Sequence, residues 1–175
     1  MEMHDRLVQE MLPPRDLSLI RSRLYLGDLA PFASEFMGTF LLCFTVGLTA
    51  GNTPFAPLAI GSSLMVSIFV GGHISGGHHN PAVTLAALVA GKMKSGFFQL
   101  GPGLCALGYV VAQLLASVSA GAIAYGVTLD MGNTMGTPRV SESASRTSAV
   151  FVELIFTSFL ALTVLNATTA RGTEV

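Results

Sequence analysis

Residues 72–84 read GHISGGHHNPAVT, and this segment decides the fold because a helix must begin in the middle of it. Asn80 is a preferred N-cap residue, and Pro81 suits the first helical position, where its missing N–H needs no partner. The apolar residues that follow continue the helix only as far as Lys92 and Lys94. Because a helix of roughly ten residues is too short to cross a bilayer, the segment predicts a re-entrant half-helix.

The composition around this segment is typical of a membrane protein. Hydrophobic residues make up 51% of the 175 residues and charged residues only 11%, whereas about 25% of the residues in a soluble domain are charged. The net charge of −1 provides no basic surface, so a nucleic-acid partner is not expected. The expected partner is the lipid bilayer.

Charged residues are absent from long tracts, which we interpret as membrane spans. The segments 36–91 and 95–129 contain no Asp, Glu, Lys or Arg, and the segment 147–170 contains only Glu153. The predicted all-α organisation is a polar N-terminal tail (1–30), a first repeat (31–127) with a re-entrant loop (74–91), an extracellular loop (128–147), a fourth membrane helix (148–169) and a cytoplasmic tail (170–175).

The positive charges predict the orientation of the chain in the membrane. Four spans place both termini on the same side. Seven Lys and Arg residues fall on that side and two on the other: Arg6, Arg15, Arg21, Arg23, Lys92, Lys94 and Arg171 against Arg139 and Arg146. Because positive residues are enriched in cytoplasmic segments, both termini of this multi-pass protein are predicted to be cytoplasmic.

The first and fourth spans are related by an offset of 118 residues, which aligns their intramembrane carboxylates, Glu35 and Glu153. Four further identical pairs share this offset: Thr39 with Thr157, Leu42 with Leu160, Thr45 with Thr163, and Val46 with Val164. The fourth span lies three crossings after the first, so the two run in opposite directions. This relation is typical of an inverted-topology repeat, whose site lies near the membrane midplane.

The N-terminus of the half-helix that begins at Asn80 would present hydrogen-bond donors inside the membrane. Its positive dipole end and the Asn80 amide hydrogens would point at the midplane. Gly76 and Gly77 let backbone carbonyls approach a narrow passage closely. A donor at one point and acceptors leading to it suit a small neutral polar solute, and the positive helix end opposes cations.

The segment 72–84 resembles the first Asn-Pro-Ala loop of the aquaporin and aquaglyceroporin (major intrinsic protein) family. Further matches are residues 33–40 (ASEFMGTF), Gln113 in the third span and Glu153 in the fourth, so the resemblance covers about residues 33–169. It implies an aquaporin-like inverted-repeat helical bundle that transports water and small neutral solutes such as glycerol passively. It also implies assembly as a homo- or hetero-tetramer.

The resemblance implies roles for individual residues. The pore-lining or solute-binding residues would be Gly76, Gly77, His78, His79, Asn80, Pro81, Ala82 and Val83. Among them, Asn80 would donate to the solute, and the four residues before it would offer backbone carbonyls. Glu35, Glu153 and Gln113 would be structural anchors, the two glutamates by accepting hydrogen bonds from the re-entrant loops. Ile60 would occupy a selectivity-filter position, where an aliphatic side chain makes the filter wider or more apolar than an aromatic one.

The same offset predicts a second Asn-Pro-Ala motif near residue ~198 and a complete protein of about 245 residues. We therefore interpret the sequence as a channel-family protein truncated after the fourth helix. One alternative is a non-conducting truncated subunit that assembles with full-length relatives. Another is a secondary transporter that uses Glu35 and Glu153, since intramembrane carboxylates are often functional.

Enzyme chemistry and cofactors are not expected. No nucleophile, base and orienting group converge in the sequence, so we predict no catalytic residue. His73, His78 and His79 do not share one helical face, and no cysteine or carboxylate accompanies them. We therefore expect neither a metal site nor another cofactor.

Overall fold

The computed structural model describes residues 17–94, 100–140 and 142–169, with only the backbone given at 17–26 and 168–169. Within these ranges the chain forms five helices and no strand: α1 (Leu17–Thr49), α2 (Ala56–Ser75), α3 (Pro81–Val89), α4 (Pro102–Asp130) and α5 (Arg146–Thr169). The all-α fold predicted from the sequence is confirmed.

Four of these helices are long and apolar enough to cross a membrane. The spans are Gly27–Thr49 within α1, Ala56–Ser75, Pro102–Asp130 and Arg146–Ala167. Helix α3, with nine residues, is too short, because a span needs about 20 residues. The prediction of four spans and one short helix is confirmed.

Some boundaries differ from those expected. Helix α1 begins at Leu17, inside the predicted polar tail 1–30. Arginine is a good helix former, so the helix continues beyond the apolar span into a segment that carries Arg21 and Arg23. The predicted loop 128–147 is shorter at both ends, because α4 extends to Asp130 and α5 begins at Arg146. The predicted tails at 1–16 and 170–175 lie outside the described residues.

Helix α1 packs against both α2 and α4. Small residues bring α1 and α4 close together: a Cβ atom added at Gly47 would lie 2.6 Å from the Cβ of Ala124. Buried alanines follow one face of α4 at intervals of four residues: Ala112, Ala116, Ala120 and Ala124. Small side chains at helix contacts are typical of membrane bundles, where close packing replaces the hydrophobic effect.

Helix α3 packs against α4 and α5, which places its N-terminus inside the bundle. Its contact with α5 is apolar and consists of Val83, Ala161 and Val164, with Ile68, Ala86 and Leu160 packed around them. Large apolar side chains cover the outer surface, among them Phe69, Val70, Val118, Phe151 and Phe156. Because such a surface is unfavourable in water, it is suited to contact with lipid or with other apolar helices.

Candidate functional site

Residues 76–80 connect the end of α2 to the start of α3, and two glycines shape this connection. Gly76 ends α2 in the left-handed conformation (φ 103°), and its N–H donates to the carbonyl of Gly72 at 2.8 Å. Gly77 is also left-handed (φ 64°), and a Cβ atom there would lie 3.3 Å from Cα of Gly72. Only glycine adopts these conformations without strain.

Asn80 caps α3 as the sequence predicts. Its backbone is extended (φ −156°, ψ 130°), and its Oδ1 accepts a hydrogen bond from the N–H of Ala82 at 2.8 Å. Pro81 is the first residue of α3. Because Oδ1 accepts the capping hydrogen bond, the Nδ2 group of Asn80 takes no part in the cap. It donates to no acceptor among the described residues. This amide is therefore available to a ligand.

Glu35 of α1 holds the loop through four hydrogen bonds and is fully buried. Its Oε1 accepts from the hydroxyl of Ser75 at 2.6 Å and from the backbone N–H of His78 at 2.9 Å. Its Oε2 accepts from the backbone N–H of His79 at 2.7 Å and from Nε2 of Gln113 at 2.8 Å. The carboxylate joins α1, the loop and α4 at one point.

Helix α4 supports the loop with two polar side chains on one face. Nε2 of Gln113 also lies 2.9 Å from Oγ1 of Thr84, which lies 3.2 Å from Nδ1 of His78. The hydroxyl of Tyr109 donates to the carbonyl of Ser75 at 2.9 Å, and its ring meets that of His78 edge-on with centroids 5.4 Å apart. The start of α3 and the end of α2 are thus tied to the same helix.

Lys94 stabilises the C-terminal end of α2. Its Nζ donates to the carbonyl of His73 at 2.7 Å and lies 3.4 Å from that of Ile74. A positive charge is favourable at a helix C-terminus, where carbonyl groups lack partners within the helix. Partial burial lowers the pKa of Lys94 below its ordinary value.

Glu153 differs from Glu35 in its surroundings. Its side chain is exposed in a groove between α3 and α5, whose lining includes Ala82, Ala86, Arg146 and Ala161. No hydrogen bond joins it to any residue that the structure describes, whereas Glu35 makes four. The structure brings Glu35 and Gln113 together at the loop and leaves Glu153 apart from them.

The family profile of the major intrinsic protein matches residues 26–175. The chain belongs to the major intrinsic protein family. This family consists of membrane channels rather than enzymes, and the resemblance drawn from the loop sequence is confirmed. With four apolar spans, this member of the family is a multi-pass membrane protein.

Curated relatives of this family member include both aquaporins and a glycerol facilitator. The chain is 31% identical over 147 residues to glycerol uptake facilitator protein-like 6 of Lactiplantibacillus plantarum, covering 78% of this chain and 62% of that protein. It is 35% identical over 151 residues to aquaporin-5 of Sus scrofa, covering 81% and 53%. It is 35% identical over 135 residues to lens fiber major intrinsic protein of Gallus gallus, covering 71% and 48%. The chain spans about half to three-fifths of the length of these relatives.

Ile60 of this major intrinsic protein is half-buried in the first half of α2. Its carbonyl accepts a hydrogen bond from the hydroxyl of Ser63 at 2.8 Å. This hydrogen bond involves the backbone and does not test the side chain of Ile60 as a filter residue. Its role in selectivity therefore stays a prediction.

Sequence reasoning missed several polar residues of the site: Ser34, Ser75, Thr84, Lys94 and Tyr109. Ser75 and Thr84 lie within the quoted segment 72–84, but the sequence does not indicate which groups their hydroxyls contact. Tyr109 could have been found, because it precedes Gln113 by four residues, so the two polar groups share one face of a helix without charged residues between them. Ser34 donates to the carbonyl of Gly71 at 3.1 Å and ties α1 to α2.

Proposed function

We propose that the chain forms one half of a passive channel for water and small neutral solutes, in which Asn80 donates to the solute. The observation that carries the proposal is the set of hydrogen bonds between Glu35 and the backbone N–H groups of His78 and His79. In a trans peptide unit the N–H and the preceding C=O point in opposite directions. The carbonyls of Gly77 and His78 therefore point away from Glu35 and α1.

These carbonyls and the Asn80 amide form a row of polar groups on the opposite side of the loop. A solute that loses its hydration water in such a passage would donate hydrogen bonds to the carbonyls of residues 76–79 and accept one from Nδ2 of Asn80. Pro81, Ala82 and Val83 begin the half-helix, whose N-terminal dipole disfavours cations at this point. The arrangement therefore suits neutral rather than positively charged solutes.

The range of solutes depends on the filter. An aliphatic residue at position 60 supports passage of glycerol as well as water, because it is smaller than an aromatic ring. The relatives include a protein named for glycerol uptake and several named aquaporins. We extend both solutes to this chain as a proposal, together with tetrameric assembly and cytoplasmic termini.

A second candidate function is that of a non-conducting subunit that assembles with full-length relatives. The exposure of Glu153 favours it, because a carboxylate without a partner at the bilayer centre costs at least ~2.5 kcal/mol if it is ionised. A transporter that uses Glu35 as a proton carrier is less consistent with the structure. Four donors surround that carboxylate, which leaves no acceptor position for a transferred proton.

Stopped-flow swelling of proteoliposomes tests the proposal. One preparation contains the 175-residue chain alone. Another contains the chain together with a second polypeptide, which carries the part of the Lactiplantibacillus plantarum relative that has no counterpart in this chain. We expect water flux well above that of empty vesicles from the combined preparation and little from the chain alone. Absence of flux from both, with both polypeptides inserted, would favour the non-conducting subunit. Uptake that depends on a pH gradient would favour the transporter.

A further inference from the structure

The ammonium group of Lys94 lies where three backbone carbonyls at the end of α2 converge. Its Nζ is 2.7 Å from the carbonyl oxygen of His73, 3.4 Å from that of Ile74 and 3.5 Å from that of Gly72. The C-terminus of a helix carries a partial negative charge, and carbonyls grouped around one point can replace the hydration shell of a cation. The ammonium therefore occupies the position that a bound cation would take.

The two carbonyls nearest to the ammonium lack their helical partners because the loop uses those partners elsewhere. A longer α2 would pair these carbonyls with the backbone N–H groups of Gly77 and His78. Instead, the N–H of Gly77 donates to the hydroxyl of Ser75 at 3.1 Å, and that of His78 donates to Glu35 at 2.9 Å. Lys94 supplies the donor that the end of α2 lacks.

The segment after α3 holds Lys94 in this position. Gly91 follows α3 in the left-handed conformation (φ 67°), which turns the chain. Met93 is buried next to Lys94 in the chain and packs against Cys105 and Tyr109 of α4. The ammonium is thus attached to a backbone that is anchored on its N-terminal side.

The carbonyl group that Lys94 binds lies beside the proposed solute path. The carbonyl of Gly77 belongs to the proposed row, and a Cβ atom at Gly77 would lie 3.3 Å from Cα of Gly72. Lys94 and His73 are both exposed, so ions in solution can reach this end of α2. Lys94 forms no ion pair with a carboxylate in the described part of the chain. Its charge is therefore free to repel cations.

We propose that Lys94 is a specificity-determining residue of the solute path, whose ammonium fills a three-carbonyl site at the end of α2 and so excludes cations from it. The proposal rests on the proposed function, in which the carbonyls after α2 line the path. Without the ammonium, the carbonyls would attract a cation to the start of the row. With it, the site holds a positive charge that cannot leave.

The test compares the wild-type chain with Lys94→Met, which removes the charge, and Lys94→Arg, which retains it and offers several donors. Lys92→Met is the matched control, because Lys92 is an exposed lysine two residues earlier. The first readout is the unfolding temperature of the 175-residue chain in detergent, in potassium chloride and in N-methylglucamine chloride at equal ionic strength. N-methylglucamine is too bulky to enter a site between three carbonyls.

We expect Lys94→Met to unfold at a higher temperature in potassium chloride than in N-methylglucamine chloride, because K⁺ takes the place of the ammonium. A cation that binds only the folded state raises its stability. The wild type, Lys94→Arg and Lys92→Met should show no such difference. This readout does not depend on a working channel.

The second readout is the K⁺ leak and the water flux of vesicles in which each variant is combined with the second polypeptide of the swelling assay, the complementing half. Lys94→Met should leak K⁺ at least about tenfold faster than the wild type, since a single-signed field changes the local ion concentration by about tenfold or more. Lys94→Arg and Lys92→Met should match the wild type. Water flux should persist in all four proteins.

Three outcomes would overturn the proposal: equal K⁺ leak through Lys94→Met and Lys92→Met in vesicles that conduct water, equal unfolding temperatures of Lys94→Met in the two salts, or a Lys94→Met chain that does not fold while Lys94→Arg does. The last outcome would make Lys94 a purely structural cap of α2. Absence of water flux from every combined sample, with the salt effect on Lys94→Met intact, would overturn the proposed channel function and leave the three-carbonyl site standing.

Discussion

Removal of the Glu35 carboxylate should destabilise the loop between α2 and α3. Glu35→Ala leaves four donors without their acceptor. The Ser75 hydroxyl can turn toward the carbonyl of Gly71, which lies 3.5 Å away, and the Gln113 amide keeps its contact with Thr84. The backbone N–H groups of His78 and His79 have no such alternative among the described residues.

The magnitude follows from these two N–H groups. A buried donor left without a partner costs about 1–3 kcal/mol, so Glu35→Ala should lower the free energy of unfolding by about 2–6 kcal/mol. This loss is a large share of the roughly 5–15 kcal/mol that stabilises a typical native protein. Glu153→Ala is the matched control, because Glu153 is an exposed glutamate in another span. Glu153→Ala should leave the free energy of unfolding unchanged or raise it, because the substitution removes a carboxylate that no hydrogen bond stabilises among the described residues.

The assay is reversible unfolding of the two variants and the wild type in the same detergent, followed by helical circular dichroism. Amide hydrogen exchange of His78 and His79 provides a local readout, and it should be at least about tenfold faster in Glu35→Ala, since 1.4 kcal/mol corresponds to a factor of ten. Equal destabilisation by Glu35→Ala and Glu153→Ala, or unchanged exchange at His78 and His79, would refute the assigned role of Glu35.

Two further substitutions test the packing and the proposed filter. Gly38→Ala should lower the unfolding temperature, because the new methyl group overlaps the His79 ring. The control Gly61→Ala should leave the unfolding temperature unchanged or raise it, because no atom lies within 4 Å of the added Cβ. Equal unfolding temperatures of the two variants in detergent would contradict the close contact between Gly38 and the His79 ring. Ile60→Phe should reduce glycerol uptake more than water flux in the vesicle assay, since a narrower passage excludes the larger solute first; equal changes would mean that Ile60 does not line the filter.

The membrane helices and the cap of α3 could be predicted because their signals are local. Long uncharged tracts specify the spans. The Asn80-Pro81 pair specifies the start of a helix independently of the tertiary contacts around it. The family could also be recognised, since the segment 72–84 is contiguous. These features depend on neighbours in sequence rather than on contacts between distant elements.

The network around the loop could be predicted only in part. The family resemblance implied that Glu35 is an anchor, but the identity of its donors depends on how α1, α2 and α4 pack. Thr84 looks like an ordinary residue of α3 in the sequence, and its contacts with His78 and Gln113 exist only in the folded bundle. The burial of the His79 ring against Gly38 requires two segments 41 residues apart to meet.

The central claim is that the amide of Asn80 is the donor of a solute path, and Asn80→Asp tests it most directly. The variant and the wild type are each combined with the complementing half of the relative in vesicles, and osmotic water flux and cation leak are measured at equal protein content. Asn133→Asp, a change of the same type in the exposed loop after α4, is the control. We expect Asn80→Asp to abolish water flux and to admit cations, because an anion replaces the donor, while Asn133→Asp leaves the flux unchanged. Wild-type water flux from the Asn80→Asp protein, correctly inserted, would contradict the account.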